Sequence, residues 1–490
     1  MLHISDITKM ERCLRAFQLS RIEKIQSNPF INLNVDMTKC LMEYFMLKEE
    51  EVFIGVRNDD PQRVVKAFDD YQYFINARFA YDELRIKIPF MIKDENELIV
   101  YFTSLQLYPK EGQAQYIADT LEVLRLCGYH VRDVYLFHLN GDYVREKELD
   151  VRQAFVVSEA FYNHNNHVSH LIKDVIEEKT RDITMYMNEL KRLCEQPLLK
   201  PHRTSKCTRG RKCDYYDLCF PEEENEDTIM HLVQSAHKHE MHEEGIKHLR
   251  DVDFDRIEGT RIQYAQIMAD INGGLYFDHA ALRVWLSEIV TKPLCYLDFE
   301  WETYALPPYE RMKPYDVLTF QYSLHVEKNG ELQHYGFIGE GDCRQDFILS
   351  LIENIPEEGN ILVFNMEGAE KLRLMQLAEQ FPQFETQLRQ IWERMVDLSI
   401  PFNTGNVYDI RMKGLYSLKT LVPIFSDYSY EDLKVTNGID AIFRWREYCQ
   451  AEGELKQQIY QELTDYCALD TYGEYIVLHA LMKEAQREEV

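Results

Sequence analysis

Hydrophobic and polar positions alternate in several short stretches of the chain, and this period of two residues predicts β-strands. The clearest pair lies within residues 83–108, where RIKIPFMI and ELIVYFTSLQLY are separated by the polar residues 94–96. Such a pair predicts a hairpin. A further strand is expected over 133–139, and the turn-forming residues 140–142 predict a second hairpin that continues into Tyr143.

Apolar positions three and four residues apart predict helices in the rest of the first half. Helices are expected within residues 1–60, over 112–126 and over roughly 151–194. Helices combined with a hairpin and a third strand are typical of a small α/β domain with a helical cover. We expect this domain to span residues 1–220.

The second half of the chain predicts another α/β domain, with a mixed sheet, over residues 291–490. Before it, the acidic stretch PEEENED and amphipathic patterns predict a linker and helical connector over 221–290, with Asp278 capping the last helix. The strands expected in the second domain are 295–300, 317–326, 331–338 and 361–365, and its expected helices are 345–354, 367–380, 383–395, 431–448 and 454–483.

Charge and composition narrow the class of protein. The 83 acidic and 55 basic residues give a net charge of −28, which argues against a broad phosphate-binding surface but leaves room for a local basic channel. No run approaches 18 apolar residues, and the first residues lack the apolar core of a signal peptide, so we expect a cytoplasmic protein without a membrane span. Its 11 cysteines are then free thiols or metal ligands rather than disulfides.

The stretch CYLDFEWETY at residues 295–304 carries the first candidate chemistry. In a strand, Asp298 and Glu300 lie on one face, roughly 7 Å apart. Two carboxylates that the fold brings to about 4 Å repel each other by about 4 kcal/mol at an effective dielectric of 20. A divalent cation such as Mg²⁺ removes that cost. The alternative is a strand end with two solvated acids.

Two further stretches add acids. The strand ILVFN ends at Asn365 and is followed by Glu367 and Glu370 at the start of a predicted helix. In the last helix, Tyr466 and Asp470 are four residues apart and therefore share a face. Taken alone, this pair is equally well a surface feature. Together with Asp-x-Glu, it indicates a carboxylate constellation.

Five stretches carry a resemblance to a known family: YLDFEWET, VFNMEGAEKLRL, MVDLSIPF, SLKTLVP and DYCALDT. Over about residues 290–485 the chain resembles the DnaQ-like (RNase H-like) 3′–5′ exonucleases of the DEDD group. It is most similar to an uncharacterised bacterial family that joins such a domain to an N-terminal nuclease-like module. The resemblance implies that Asp298, Glu300 and Asp470 bind two Mg²⁺ or Mn²⁺ ions, and that Tyr466 orients the attacking water.

The second motif departs from the pattern of the group, which mostly has Asn-x-x-x-Asp. Here Asn365 is followed by Glu367 and Glu370. Glu370 is favoured as the catalytic and metal-binding acid because Leu374, one turn later, matches an apolar position of the family; Glu367 is the alternative.

Two further residues of the resemblance have open roles. Asp397 is either a supporting acid near the metals or a structural cap. Lys419 either contacts a phosphate of the nucleic acid or is a solvated helix lysine.

A set of cysteines suggests a second cofactor. Cys207, Cys213 and Cys219 are spaced C-x5-C-x5-C, and Cys13 lies near the start. This arrangement resembles the iron–sulfur nucleases of the PD-(D/E)XK class and implies a [4Fe-4S] cluster on these four residues. Structural zinc and buried unligated thiols are the alternatives, and Cys194 could replace one of the four.

The nuclease motif of that class is missing from the matching hairpin. Where the class has Asp and then Glu-x-Lys, this chain has PFM at 89–91 and YFTS at 101–104, while Lys110 and Glu111 come too late. Apolar and hydroxyl side chains do not hold a catalytic metal. We therefore expect a degenerate PD-(D/E)XK-like module that binds nucleic acid. The expected contacts of its basic loop with phosphates are Lys206, Arg209, Arg211 and Lys212.

The sequence thus predicts an α/β protein with a degenerate iron–sulfur module and an RNase H-like exonuclease domain. The expected activity is metal-dependent removal of nucleotides from the 3′ end of single-stranded DNA or RNA, with DNA favoured, by two-metal hydrolysis. The alternative is a catalytically inert nucleic-acid-binding or redox-sensing scaffold. No membrane partner is expected.

Overall fold

The computed structural model describes residues 1–23, 25, 35–208, 210–221, 225–289 and 292–487. It is a mixed α/β protein, as the sequence predicts. The chain divides into two compact units. Unit 1 comprises Met1–Cys219 and Tyr304–Asp316, and unit 2 comprises Phe220–Thr303 and Val317–Val490.

Unit 1 contains nine α-helices and nine strands among the described residues. The helices are α1 (Ile4–Arg12), α2 (Leu14–Ile22), α3 (Met37–Tyr44), α4 (Pro61–Ala67), α5 (Ala114–Leu126), α6 (Val151–Ala154), α7 (Ile172–Lys179), α8 (Ile183–Glu195) and α9 (Tyr216–Cys219). The strands are β1 (Leu2–His3), β2 (Val52–Ile54), β3 (Tyr73–Tyr81), β4 (Leu84–Asp94), β5 (Glu97–Ser104), β6 (His130–Leu139), β7 (Phe155–Ser158), β8 (Ala160–Tyr162) and β9 (Val168–Leu171).

Seven of these strands form one mixed sheet in the order β2-β3-β4-β5-β6-β7, with β1 pairing beside β4. The predicted hairpin is confirmed: β4 and β5 are antiparallel and join through a two-residue turn. Apolar side chains are buried on both sheet faces. Phe74 and Ile86 belong to one apolar cluster, and Phe90 and Phe137 belong to another.

Two local predictions for unit 1 are wrong. The region predicted as helical over roughly 151–194 contains three strands, β7 to β9, between the short helix α6 and α7. Phe155, Val156 and Val157 of the first strand are aromatic and β-branched residues that suit a sheet. The predicted second hairpin into Tyr143 is also absent. The edge of β6 is instead covered by the antiparallel strand β7.

Unit 2 contains ten α-helices and seven strands among the described residues. The helices are α10 (Lys238–Glu243), α11 (Arg261–Ile271), α12 (His279–Ile289), α13 (Arg344–Asn354), α14 (Glu370–Gln380), α15 (Glu385–Trp392), α16 (Ile400–Asn403), α17 (Leu418–Phe425), α18 (Gly438–Tyr448) and α19 (Gly453–Ala485). The strands are β10 (Leu275–Phe277), β11 (Leu294–Thr303), β12 (Val317–Lys328), β13 (Glu331–Ile338), β14 (Ile361–Val363), β15 (Met395–Asp397) and β16 (Val407–Asp409).

A five-stranded mixed sheet organises unit 2, in the order β13-β12-β11-β14-β15. The strands β11, β12 and β13 form an antiparallel series, whereas β14 and β15 run parallel to β11. All four strands expected from the sequence are present, and β15 is an additional one.

The predicted connector over 221–290 is not a separate module. It belongs to unit 2, where α11 supplies Gln266, whose side chain bonds the buried Tyr408 hydroxyl at 3.0 Å. The expected cap of α12 is confirmed, since Asp278 Oδ1 accepts a hydrogen bond from Ala281 N at 2.9 Å. Conversely, residues 304–316 belong to unit 1, where Tyr315 Oη donates to Leu105 O at 2.7 Å.

Among the described residues, every helix is too short or too polar to span a bilayer.

Candidate metal centre

The alternation of side chains along β11 positions the first two acids. Leu297 and Phe299 point into the main apolar cluster of unit 2, so Asp298 and Glu300 point to the opposite face. The long helix α19 packs on that face, where Gln321 of β12 donates to the backbone oxygen of Leu463 at 2.7 Å. Asp470, which belongs to this helix, therefore lies on the same side of the sheet as Asp298 and Glu300.

Asp298, Glu300 and Asp470 converge. Each offers one carboxylate oxygen, and the three oxygens lie within 4.8 Å of one another. Oxygen ligands on opposite sides of one Mg²⁺ or Ca²⁺ are about 4 to 5 Å apart, so the three groups are close enough to share a cation. Glu300 and Asp470 are buried, and Asp298 is partly exposed. The predicted convergence of these three acids is present.

A β-bulge follows the second acid. Glu300 lies opposite Gln321, but Trp301 lies opposite Thr319, so Phe320 is the extra residue on β12. Phe320 is fully buried and stacks on Trp445, with 4.5 Å between ring centroids. The bulge increases the local twist of the strand pair at this point. Glu300 and Trp301, on either side of the register shift, both line the pocket.

The structure separates the two glutamates of the second motif. Glu370 opens α14, is 2% exposed and lines the pocket beside Asp298 and Glu300. Its Oε2 atom is buried without a hydrogen-bond partner. Glu367 lies on the surface and pairs with Lys371 at 2.5 Å. Of the two, Glu370 is therefore the one at the carboxylate pocket.

Asp397 holds the turn that presents Glu370. Its Oδ1 atom accepts hydrogen bonds from Asn365 N at 3.0 Å and Ser399 N at 2.8 Å, and its Oδ2 atom accepts one from Met366 N at 3.2 Å. Asn365 has a positive φ of 66°, a conformation that asparagine adopts more readily than most residues. Asp397 thus fixes the backbone that leads from β14 to α14.

The acids line a pocket of about 560 Å³, in which Lys419 and Tyr466 are the other predicted site residues. The Lys419 ammonium lies 5.1 Å from the centroid of the Tyr466 ring. Its charge lowers the pKa of Asp298, Glu300 and Asp470, and the Tyr466 hydroxyl lowers that of Glu300 and Asp470. These two groups only partly offset the repulsion among the acids.

Burial dominates the acid–base properties of the pocket. It raises the pKa of Asp470 to about 6, and it raises those of Asp298, Glu300 and Glu370 well above their usual range. The charge of Asp298 raises the pKa of Glu300 and Glu370 further. Each charged carboxylate in this pocket is costly unless a cation compensates it.

Three further residues at the site were not predicted from the sequence. The Tyr430 hydroxyl donates a hydrogen bond to Asp470 Oδ1 at 2.8 Å. The Cys467 thiol, which is fully buried, lies 3.4 Å from Asp298 Oδ2. Tyr430 comes from a loop without a local pattern that would identify it.

Glu474 is the third missed residue. It follows Asp470 by one turn of α19, is fully buried, and has no hydrogen-bond partner for either carboxylate oxygen. Burial and the charges of Asp298, Glu370 and Asp470 raise its pKa well above the usual range, and the backbone of Leu297 offsets this only in part. The spacing Tyr466-Asp470-Glu474 is a helical signal that would have identified it.

The predicted cysteine ligands come from two ends of unit 1. Cys13 lies between α1 and α2, whereas Cys207, Cys213 and Cys219 lie in and after the loop that follows α8. Cys213 N donates to Cys207 O at 2.8 Å. Burial raises the pKa of Cys213, and the nearby Cys13 and Cys207 raise it further.

Cys219 is tied to the same region. Arg15, two residues after Cys13, donates through Nε to Cys219 Sγ at 3.3 Å. Cys194 is exposed at the end of α8. The structure thus places Cys13, Cys207 and Cys213 near one another and links Cys219 to α2.

The distances between the cysteine sulfur atoms can be compared with those of a zinc site. In a tetrahedral zinc site with Zn–S of about 2.3 Å, the sulfur atoms are about 3.8 Å apart. Among the described residues, no three of the cysteine sulfurs lie within 4.8 Å of one another. As placed, the four thiols are therefore not in the arrangement of a closed zinc site.

The predicted basic contacts differ in their partners. Arg211 pairs with Asp214 at 3.0 Å, and Lys212 pairs with Asp217 at 2.6 Å. Lys206 donates instead to a backbone oxygen, that of Glu11, at 3.0 Å. Arg209 lies outside the described residues.

The hairpin positions where the resemblance to PD-(D/E)XK nucleases would place acids carry apolar side chains. Phe90 and Met91 of β4 are fully buried in the apolar clusters of unit 1. Phe102 of β5 is also in the core. Within the described part of the chain, the one group of three or more ligand atoms close enough for a metal ion is Asp298, Glu300 and Asp470.

Comparison with known families covers part of unit 2. Residues 295–417 match a family described as a domain of unknown function, DUF2779. The matched segment includes Asp298, Glu300 and Glu370 and ends before Tyr466 and Asp470. No curated protein and no solved structure matches the chain.

Proposed function

We propose that this protein is a metal-dependent 3′–5′ exonuclease that acts on single-stranded nucleic acid, with DNA as the favoured substrate. The observation that carries the proposal is that one carboxylate oxygen from each of Asp298, Glu300 and Asp470 lies within 4.8 Å of the others in one pocket. The five-stranded mixed sheet beneath it is the kind of sheet that the resemblance to DnaQ-like exonucleases implies.

The chain's own residues suit phosphodiester hydrolysis. Asp298, Glu300, Glu370 and Asp470 are the residues that would hold two Mg²⁺ or Mn²⁺ ions, since carboxylate oxygens are the ligands these ions prefer. Such ions, when bound, activate water and stabilise charge on the attacking and leaving oxygens at phosphorus. The Tyr466 hydroxyl lies beside Glu300 and Asp470, where it would orient the attacking water.

Lys419 supplies the one positive side chain that lines this pocket among the described residues. A phosphate of the substrate carries negative charge into a pocket that is already acidic. The Lys419 ammonium would therefore bind a phosphate oxygen and reduce the repulsion between substrate and carboxylates.

Unit 1 contributes substrate binding in this proposal. Its nuclease-motif positions are apolar, and its four-cysteine set suits an iron–sulfur cluster that joins the start of the unit to its last loop. The cluster would then be structural and would hold together the same two segments that hydrogen bonds of Arg15 and Lys206 connect.

The test is a time course with 5′-labelled single strands of DNA and RNA. Wild-type protein with Mg²⁺ or Mn²⁺ is expected to shorten the strand stepwise from its 3′ end, whereas Asp470→Asn should not. The matched control is Asp465→Asn, an exposed acid on the same helix that bonds Gln461. Equal rates for wild type and Asp470→Asn would overturn the proposal.

The competing hypothesis is an inert binding or redox-sensing scaffold. It is favoured by Glu370, which is one methylene longer than the aspartate usual in the exonuclease group. The same time course separates the two, because an inert scaffold would bind the strand and leave its length unchanged.

A further inference from the structure

A cavity in unit 1 has unusual electrostatics for so acidic a protein. It has a volume of about 620 Å³ and lies between α1, α2 and the loop after α8. His202 lines it, and its positively charged side chains are Arg12, Arg15, Lys200 and Lys206. We call these four residues and the space between them the basic cavity.

The two acids that line the basic cavity pair with arginines outside it. Glu11 accepts hydrogen bonds from Arg181 Nη1 at 2.5 Å and Nη2 at 3.2 Å. Arg181 also pairs with Asp119, so one negative charge remains beside the cavity. Glu189 accepts from Arg192 Nε at 2.7 Å. The four cations of the cavity therefore outnumber the acid charge that is left to offset them.

None of the four cations pairs with a carboxylate within the described residues. Arg12 Nη2 donates to Arg211 O at 2.7 Å, and Lys206 donates to Glu11 O at 3.0 Å. Arg15 donates to Leu199 O and to Cys219 Sγ. Lys200 is exposed and makes no hydrogen bond or ion pair within the described residues.

The cavity therefore concentrates a net positive charge, carried by four side chains that are hydrogen-bond donors. Arginine forks and lysine ammonium groups are the side chains that bind phosphate best. Thr204 and Ser205 add hydroxyl groups to the lining. The chemistry of the lining is therefore that of a phosphate site.

Size and an apolar wall favour a nucleotide chain over a small anion. A volume of about 620 Å³ is in the range of sites that hold organic ligands rather than single ions. Leu14 lines the cavity and is 40% exposed, which offers a surface for a base. Inorganic phosphate would leave this surface uncovered.

We propose that the basic cavity binds the phosphate backbone of single-stranded nucleic acid through Arg12, Arg15, Lys200 and Lys206. The inference rests on the proposed function for the class of ligand. It goes further because it assigns strand binding to these four residues. It excludes Arg211 and Lys212 from the binding site, since they form ion pairs with Asp214 and Asp217.

The test measures binding of a fluorescent 20-nucleotide DNA strand by the full-length protein in EDTA, so that hydrolysis plays no part. The double variant Arg12→Ala, Lys200→Ala is expected to raise Kd at least tenfold. It should also reduce the slope of log K against log salt by about 1.4, from 0.7 per lost phosphate contact. The double variant Arg211→Ala, Lys212→Ala removes the same net charge and should change Kd less than twofold.

If both double variants weaken strand binding equally, the effect comes from the general charge of the protein and the assignment is wrong. The assignment is also wrong if neither double variant weakens strand binding, or if the wild-type protein does not bind the strand. Inorganic phosphate that competes as tightly as the strand would show a small-anion site and overturn it too. Circular dichroism and thermal unfolding verify that each variant is folded.

A second assay separates this inference from the proposed function. Hydrolysis of bis-p-nitrophenyl phosphate with Mn²⁺ needs the carboxylate pocket but not the basic cavity. If wild type hydrolyses the phosphodiester and the Arg12→Ala, Lys200→Ala variant binds the strand as wild type does, only the inference is refuted. If that variant loses strand binding and wild type does not hydrolyse the phosphodiester, only the proposed function is refuted.

Discussion

The Tyr430 hydroxyl donates a 2.8 Å hydrogen bond to Asp470 Oδ1 inside the carboxylate pocket. This bond lowers the pKa of Asp470 against the rise that burial causes. Tyr430 thereby favours the charged form of Asp470, which is the form that binds a cation.

Tyr430→Phe is therefore expected to weaken Mn²⁺ binding. A hydrogen bond to a charged group contributes about 1.5–3 kcal/mol, and since the pKa of Asp470 is about 6 with that bond present, the affinity at pH 7 should fall by about 2- to 15-fold without it. The loss should be smaller at pH 8.5, where Asp470 is charged without help. Calorimetric titration of Mn²⁺ measures this, and Tyr428→Phe, an exposed tyrosine two residues earlier, should bind as wild type does.

The two glutamates of the second motif should respond differently to neutralisation. Glu370→Gln places an amide in the pocket and is expected to lower the rate of strand shortening by about 10²-fold, in line with the loss seen when a group at a metal site is removed. Glu367→Gln removes only a surface pair with Lys371 and should stay within about twofold of wild type. Steady-state rates at saturating Mn²⁺ provide the comparison. A larger loss in Glu367→Gln would mean that the surface glutamate is the functional one.

Cation-free protein should lose stability as pH rises. Because the folded-state pKa of Asp470 is raised to about 6, the folded state binds more protons than the unfolded state between the two pKa values, and the free energy of unfolding falls with pH there. The raised pKa values of the neighbouring acids extend this fall above pH 6. Thermal unfolding from pH 5 to 8 in EDTA should show a falling Tm, and saturating Mn²⁺ should raise Tm most at pH 8.

Glu474→Gln tests the source of that instability. A neutral amide keeps the size of the side chain and removes a buried charge that has no partner, so the cation-free variant at pH 8 should be more stable by about 1–3 kcal/mol. Asp465→Asn, at an exposed position of the same helix, should change stability little. Urea unfolding at pH 8 measures both. A destabilised Glu474→Gln protein would indicate that the carboxylate has a partner of its own.

The cysteine set predicts a visible chromophore. Protein purified without oxygen is expected to absorb near 400 nm and to contain about four iron and four sulfide per chain. Cys213→Ser should abolish the absorbance, whereas Cys194→Ser, at the exposed end of α8, should retain it. A colourless protein with stoichiometric zinc would contradict the cluster.

Short-range patterns in the sequence determined a large part of this fold. The hairpin of β4 and β5 and the strand that carries Asp298 and Glu300 follow from alternation, which acts over two residues and needs no distant partner. The common face of Tyr466 and Asp470 follows from the helical period in the same way. Each of these features depends on local backbone geometry alone.

Tertiary structure decided the features that depend on distant segments. Phe155–Ser158 forms a strand because β6 presents an edge with which it can pair, and Ala160–Tyr162 and Val168–Leu171 form strands that pair with each other. Whether Glu367 or Glu370 reaches the pocket depends on the turn that Asp397 holds from another strand.

The positions of Tyr430 and Glu474 at the pocket also depend on contacts between distant segments. The sequence alone determined which acids were available and on which face of a strand or helix each one lies. The packing of α19 against β11 decided which of them meet, because the energy of bringing buried charges together is set by distances across the fold and not along the chain.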